Sequence, residues 1–188
     1  MTNVTSPLFP LEPSHELVFP HNLADLDPEA PATAVFTDFK LHPPTTLYLD
    51  DSLEEARSFL EHAHRLVLAV VDRHGHFRGL LTRDQLGDEP VMRLVAQGQR
   101  RTDLQVRDLM MPRAQLVALD YVTLGGMSTG KLVALLHREG RSHILVVDRY
   151  SRQVRGLISA AELAHRLRLP LEVAQTPTFM DIFAAVMH

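Results

Sequence analysis

The chain has 188 residues, 45% of them hydrophobic and 22% charged, with a formal net charge of −4. That balance supports a buried core and excludes a disordered polymer, while the acidic excess gives no attraction to a phosphate backbone and argues against nucleic acid as a partner. Cysteine is absent, which removes disulfides and thiolate metal sites and fits a reducing compartment.

In chain order, the first stretch carries Pro7, Pro10, Pro13, Pro20, Pro28 and Pro31 among scattered apolar residues. This composition resists regular structure, so residues 1–34 read as an arm and not a domain. Its start, Met1-Thr2-Asn3-Val4, lacks a basic region followed by an apolar one and suggests no secretory signal. Thr46 to Leu49 then reads as a strand. Ser52-Leu53-Glu54-Glu55 has capping-box spacing, and Leu53, Ala56, Phe59, Leu60 and Ala63 supply one face of the helix that follows. Leu66 to Val71 is an apolar run of strand length, far short of the roughly 18 residues a membrane helix needs. Arg73-His74-Gly75-His76 turns the chain into a returning strand through Leu81. The expected location is the cytoplasm, with no membrane contact.

The same blocks then recur in the same order. Leu49-Asp50 returns as Leu119-Asp120, Val70-Val71-Asp72 as Val146-Val147-Asp148, and Gly79-Leu80-Leu81-Thr82 as Gly156-Leu157-Ile158-Ser159. The spacing is too long for a solenoid repeat and fits a duplicated small domain. Residues 35–99 form the first unit and 100–168 the second, each reading strand, helix, strand, turn, strand, helix. In the second unit Leu132 to Leu136 is the helix, Gly140 its stop, and Ile144 to Val147 and Val154 to Ile158 the hairpin. Residues 169–188 form a tail in which Thr176-Pro177 starts a last helix. Phe179, Ile182, Phe183 and Val186 share one side of it, an apolar face that predicts a homodimer.

Val106-Arg107-Asp108-Leu109-Met110-Met111-Pro112 resembles the opening of a cystathionine-β-synthase-type (CBS) domain. Arg141 to Asp148, followed by Gly156-Leu157-Ile158-Ser159, resembles the most recognisable core of that family, and the first unit is a more diverged copy. The resemblance covers roughly residues 35 to 168. It implies an α/β (α+β) fold of two β-α-β-β-α repeats packed as a pseudo-twofold pair, with two clefts between them. It further implies a regulatory module without catalytic residues or a resident cofactor, which either binds an adenosine-containing ligand (AMP, ADP, ATP or S-adenosylmethionine class) or serves as a protein-interaction unit for an unknown partner.

In ligand-binding relatives a Ser or Thr follows the glycine-hydrophobic motif, and an Asp three residues later accepts both ribose hydroxyls. Ser159 and Glu162 stand at those positions in the second repeat, and Thr82 and Gln85 in the first. Glu162 keeps the charge and Gln85 loses it, which favours the second site. His143, within the core motif, completes the candidate ligand-binding set. Both pairs also satisfy the S/T-x-x-E/Q capping rule, so helix starts alone account for them.

Three other patterns carry chemistry of their own. Gly125-Gly126-Met127-Ser128-Thr129-Gly130-Lys131-Leu132 approaches a phosphate-binding loop between a strand and a helix, which would make the chain a nucleotide phosphohydrolase, but Leu132 stands where a Mg²⁺-binding hydroxyl belongs. His62, His64, His74 and His76 form two H-x-H pairs with metal-binding chemistry, although i and i+2 do not share a helix face and exposed turn residues explain them better. No metal is therefore expected. Arg138, Arg141, Arg149, Arg152 and Arg155 read as a solvated face with one or two members available to a ligand phosphate.

Overall fold

The computed structural model describes residues 29–63, 67–137, 140–166 and 177–186. The first repeat contains β2 (Thr46–Tyr48), α1 (Leu53–Ala63), β3 (Val67–Val71), β4 (Phe77–Thr82) and α2 (Asp88–Ala96). The second contains β6 (Ala118–Asp120), the short α4 (Tyr121–Gly125), α5 (Thr129–Leu136), β7 (His143–Asp148), β8 (Gln153–Ser159) and α6 (Ala160–Arg166). The Ser52 capping box forms: the Ser52 amide donates to Glu55 Oε2 at 2.9 Å, and the Glu55 amide donates to Ser52 Oγ at 3.2 Å. In both hairpins the register shifts at the equivalent Val-Val step, Val70/Val71 and Val146/Val147, so the duplication extends to an irregularity.

Two four-stranded sheets result, and each borrows a strand. β1 (Thr37–Asp38), at the start of the first repeat, pairs antiparallel with β8, giving the order β1-β8-β7-β6. β5 (Met111–Pro112), which follows the short helix α3 (Val106–Leu109), pairs antiparallel with β4, giving the order β2-β3-β4-β5. Each repeat thus lends its leading strand to the other's sheet across the boundaries read from sequence. The exchange explains the repeated glycine. A Cβ on Gly79 would collide with the Met111 backbone carbonyl, and one on Gly156 with the Phe36 ring and the Thr37 carbonyl.

Apolar residues segregate by sheet face, as strand alternation requires. Ile144, Val146 and Ile158 join Leu124, Leu132, Leu136 and Leu163 in the second repeat's own core, while Leu68, Val70 and Leu81 join Leu53, Ala56, Leu60 and Val91 in the first's. Leu80, Leu145 and Leu157 form a smaller layer with Phe39, Val67 and Leu116. Helices thus cover one face of each sheet, and the other face meets the neighbouring repeat.

Three further readings change. The last residues of the arm are not unstructured: Ala32–Val35 form a 3-10 turn, with Ala32 and Val35 buried in the second repeat's core. Residues 1–28 lie outside the described residues. The final helix, α7 (Phe179–Val186), does not present Phe179 and Ile182 to a second copy; they are 1% and 0% exposed in the same core, and the Phe183 ring stacks on His137 with centroids 4.3 Å apart. The apolar side was real and its partner is the chain itself; the Val186 side chain lies outside the described residues. Finally, the phosphate-loop candidate follows α4 and not a strand. Ser128 caps α5 by accepting the Lys131 amide, the Thr129 amide and hydroxyl donate to the Ala30 carbonyl at 2.7 and 3.0 Å, and Leu132 is fully buried. Of the backbone donors a phosphate would need, the Thr129 amide is turned to the arm, the Lys131 amide to Ser128, and the Gly126 and Met127 amides to the carbonyls of α4.

Candidate functional site

Strand alternation decides which residues face the space between the repeats. In β3 and β4 the residues outside the helix-covered core are Val67, Ala69, Leu80 and Thr82; in β7 and β8 they are His143, Leu145, Leu157 and Ser159. Val67 pairs with Thr82 and His143 with Ser159, so Val67 and His143 are equivalent positions. Pseudo-twofold packing then sets Val67 beside Ser159 in one cleft and His143 beside Thr82 in the other.

The first cleft is open, with a volume of about 180 Å³. The second repeat contributes Leu157, Ser159 and Glu162; the first contributes Val67, Leu68, Ala69 and Leu80; β1 and the loop after it contribute Thr37, Phe39, His42, Pro43, Pro44 and Thr45. Ser159 is half-buried and Glu162 exposed in the first turn of α6. Ser159 Oγ accepts the Glu162 amide at 3.4 Å, as the anticipated helix cap requires. A carboxylate that accepts a vicinal diol, beside apolar walls able to hold a flat ring, is chemistry suited to a nucleoside.

The mate position differs. Thr82 is 7% exposed, and its amide and hydroxyl both donate to Gln85 Oε1, at 2.8 and 3.2 Å. His143 is 9% exposed, and its Nε2 has no hydrogen-bond partner among the described residues. Burial pushes its pKa down to about 4, against a smaller opposing pull from Asp84 of the first repeat. The structure therefore brings Ser159 with Glu162, and Thr82 with Gln85 and His143, into separate clefts.

The other patterns resolve into structure. Asp72 organises the His74–His76 turn: its Oδ1 accepts the amides of His74 and His76, both at 2.9 Å, and Oδ2 accepts Arg78 at 2.6 Å. The His76 amide, ahead of the Arg78 guanidinium, holds the Asp72 carboxyl well below the ordinary range. No group of three or more metal-ligating side chains occurs among the described residues; His64 and the His62 ring lie outside them.

Arg155 was misread as part of a solvated face; Arg138 lies outside the described residues. Arg155 donates to both carboxylate oxygens of Asp38, at 2.7 and 2.6 Å, and its guanidinium lies 4.6 Å from the Tyr121 ring centroid. The Arg155 hydrogen bonds lower the Asp38 pKa. This clamp fixes β1, and with it the Thr37 and Phe39 wall of the cleft. Sequence reasoning missed the wall because a two-residue strand has no periodicity; the signal available was the duplication, since β1 occupies against Gly156 the place that β5 occupies against Gly79.

Comparison with known proteins agrees with the resemblance over part of the chain and with the fold over most of it. Residues 36–86 match the CBS domain family model, and no curated protein matches. A conserved CBS-domain protein of unknown function from Thermoplasma acidophilum superposes with a TM-score of 0.51 at 17% identity, over 81% of this chain and 77% of that one. An uncharacterised conserved protein from Pyrococcus horikoshii gives 0.55 at 19%, over 79% and 99%. The CBS domain of the bacterial CNNM/CorC family Mg²⁺ transporter in complex with ATP gives 0.53 at 14%, over 78% and 95%. At these identities the likeness establishes the fold.

Proposed function

We propose that this chain, a tandem CBS-domain protein, is a non-catalytic sensor that takes an adenosine-containing ligand in the cleft where Ser159 and Glu162 meet Val67, Leu68 and Ala69. The observation that carries this reading is the cleft itself, which combines a carboxylate and a hydroxyl with apolar walls drawn from both repeats and β1. The ATP complex of a protein with the same fold supports the ligand class. The ribose hydroxyls go to Glu162, the base to the apolar strip, and a ligand that prefers one arrangement of the repeats shifts the population toward it.

The test is calorimetric. AMP, ADP, ATP, S-adenosylmethionine and cyclic dinucleotides are screened by thermal shift, where a ligand at about 100 times its dissociation constant adds roughly 2.7 kcal/mol. The best binder is then titrated into wild type and Glu162→Gln. Loss of a charge-assisted hydrogen bond should weaken binding about 10- to 150-fold, while glutamine keeps the capping geometry. A second reading, an interaction module without ligand, is favoured by the Ser159 cap, which needs no ligand to explain it. Failure of every compound in the panel selects that reading.

A further inference from the structure

We infer that His143 makes the two clefts unequal: its imidazole fills the Thr82 cleft, so the chain holds one adenosyl ligand, in the Glu162 cleft. The choice of ligand rests on the function proposed above; the occlusion rests on the fold. His143 and Val67 hold equivalent strand positions, since each pairs with the hydroxyl residue that ends its hairpin. Val67 borders the open cleft. An imidazole at that place adds a ring where valine leaves room.

Three observations show the space already taken. His143 and Thr82 are 9% and 7% exposed, whereas Ser159, the counterpart of Thr82, is only half-buried. Gln85 turns back on Thr82 and uses one oxygen for both its amide and its hydroxyl, leaving the first repeat's diol-recognising position engaged. At the edge, Arg141 donates to the Gln115 carbonyl at 3.1 Å, tying the start of β7 to the segment after β5. That segment corresponds to the one after β1 which lines the open cleft. The neutral imidazole, favoured by burial, also brings no cationic charge for a phosphate.

Reciprocal substitutions test the inference. AMP, ATP and S-adenosylmethionine are titrated into wild type, His143→Val and Val67→His, with circular dichroism to confirm the fold. One site in wild type, two in His143→Val and none in Val67→His is the expected result. Two sites in wild type, or one in a folded His143→Val, overturns the inference. A ligand-free arm separates it from the adenosyl reading: carbethoxylation at pH 7 is mapped by mass spectrometry, with exposed His42 as the internal reference. His143 should react at least about tenfold more slowly than His42, the ratio for a local opening costing about 1.4 kcal/mol. Equal rates overturn the occlusion whatever binds, whereas a protected His143 in a chain that binds none of the compounds sustains the occlusion and sinks only the ligand class.

Discussion

Gly156→Ala tests the strand exchange directly. The added methyl meets the Phe36 ring and the Thr37 backbone carbonyl, and no side-chain rotation removes a backbone carbonyl. If β1 shifts slightly, the cost is that of overpacking, about 1–3 kcal/mol. If the segment peels away, Val35 and Phe36, now 1% and 8% exposed, leave the core, and about 3–6 kcal/mol of apolar burial is lost. In a chain of this size each kcal/mol lowers the melting temperature by about 2–4 °C. Denaturant unfolding gives the free energy, and hydrogen exchange at the Phe39 amide, bonded to the Arg155 carbonyl at 2.9 Å, reports whether β1 stays docked. Gly125→Ala is the control, since nothing lies within 4 Å of a Cβ there; in the helix it should be neutral or stabilise by up to about 1 kcal/mol. A Gly156→Ala protein within about 0.5 kcal/mol of wild type, with Phe39 equally protected, would refute the exchanged-strand packing.

Asp38→Asn should lower the melting temperature at pH 7. Because the Asp38 pKa is lowered on folding, the wild-type advantage is present above the unfolded carboxylate value and shrinks as pH falls through the folded one; thermal melts from pH 7 to 3 should show that narrowing. His143 also titrates lower in the folded state, at about 4, so wild type should lose up to about 3 kcal/mol between roughly pH 6.5 and 4; chemical denaturation at both ends should find this slope flattened in His143→Val. Phe179→Ala should cost about 3–5 kcal/mol as a core cavity, and scattering mass on wild type and variant should not differ, since the residue is buried within its own chain.

The duplication, the hairpins and the Ser52 cap were legible because each is local: a run of alternating or helical apolar residues, or two polar groups three positions apart. What escaped was non-local. The partner of an apolar helix face is not written in the face, so Phe179 and Ile182 suggest a dimer surface where the fold makes them a lid on the second repeat. Arg155 sat among four other arginines and only the fold singles it out, through Asp38 from the far side of the first repeat. Motif spacing groups Ser159 with Glu162 and Thr82 with Gln85, but it says nothing of where the His143 side chain points; only the fold, through pleating and pseudo-symmetry, sets it near Asp84.

The same exchange links the cleft to the segment before it. Thr37 and Phe39 line the open cleft while Asp38, between them, is held by Arg155. Successive residues of a strand point to opposite faces, so one two-residue strand carries the cleft wall on one side and the clamp on the other. A few residues upstream, Ala30 accepts from Thr129 and Pro31 bridges Ser128. A molecule bound against Thr37 and Phe39 therefore contacts the state in which this segment is docked and loses those contacts when it lifts. Ligand occupancy and docking of residues 30–39 then stabilise each other, by the reciprocity any two coupled equilibria obey.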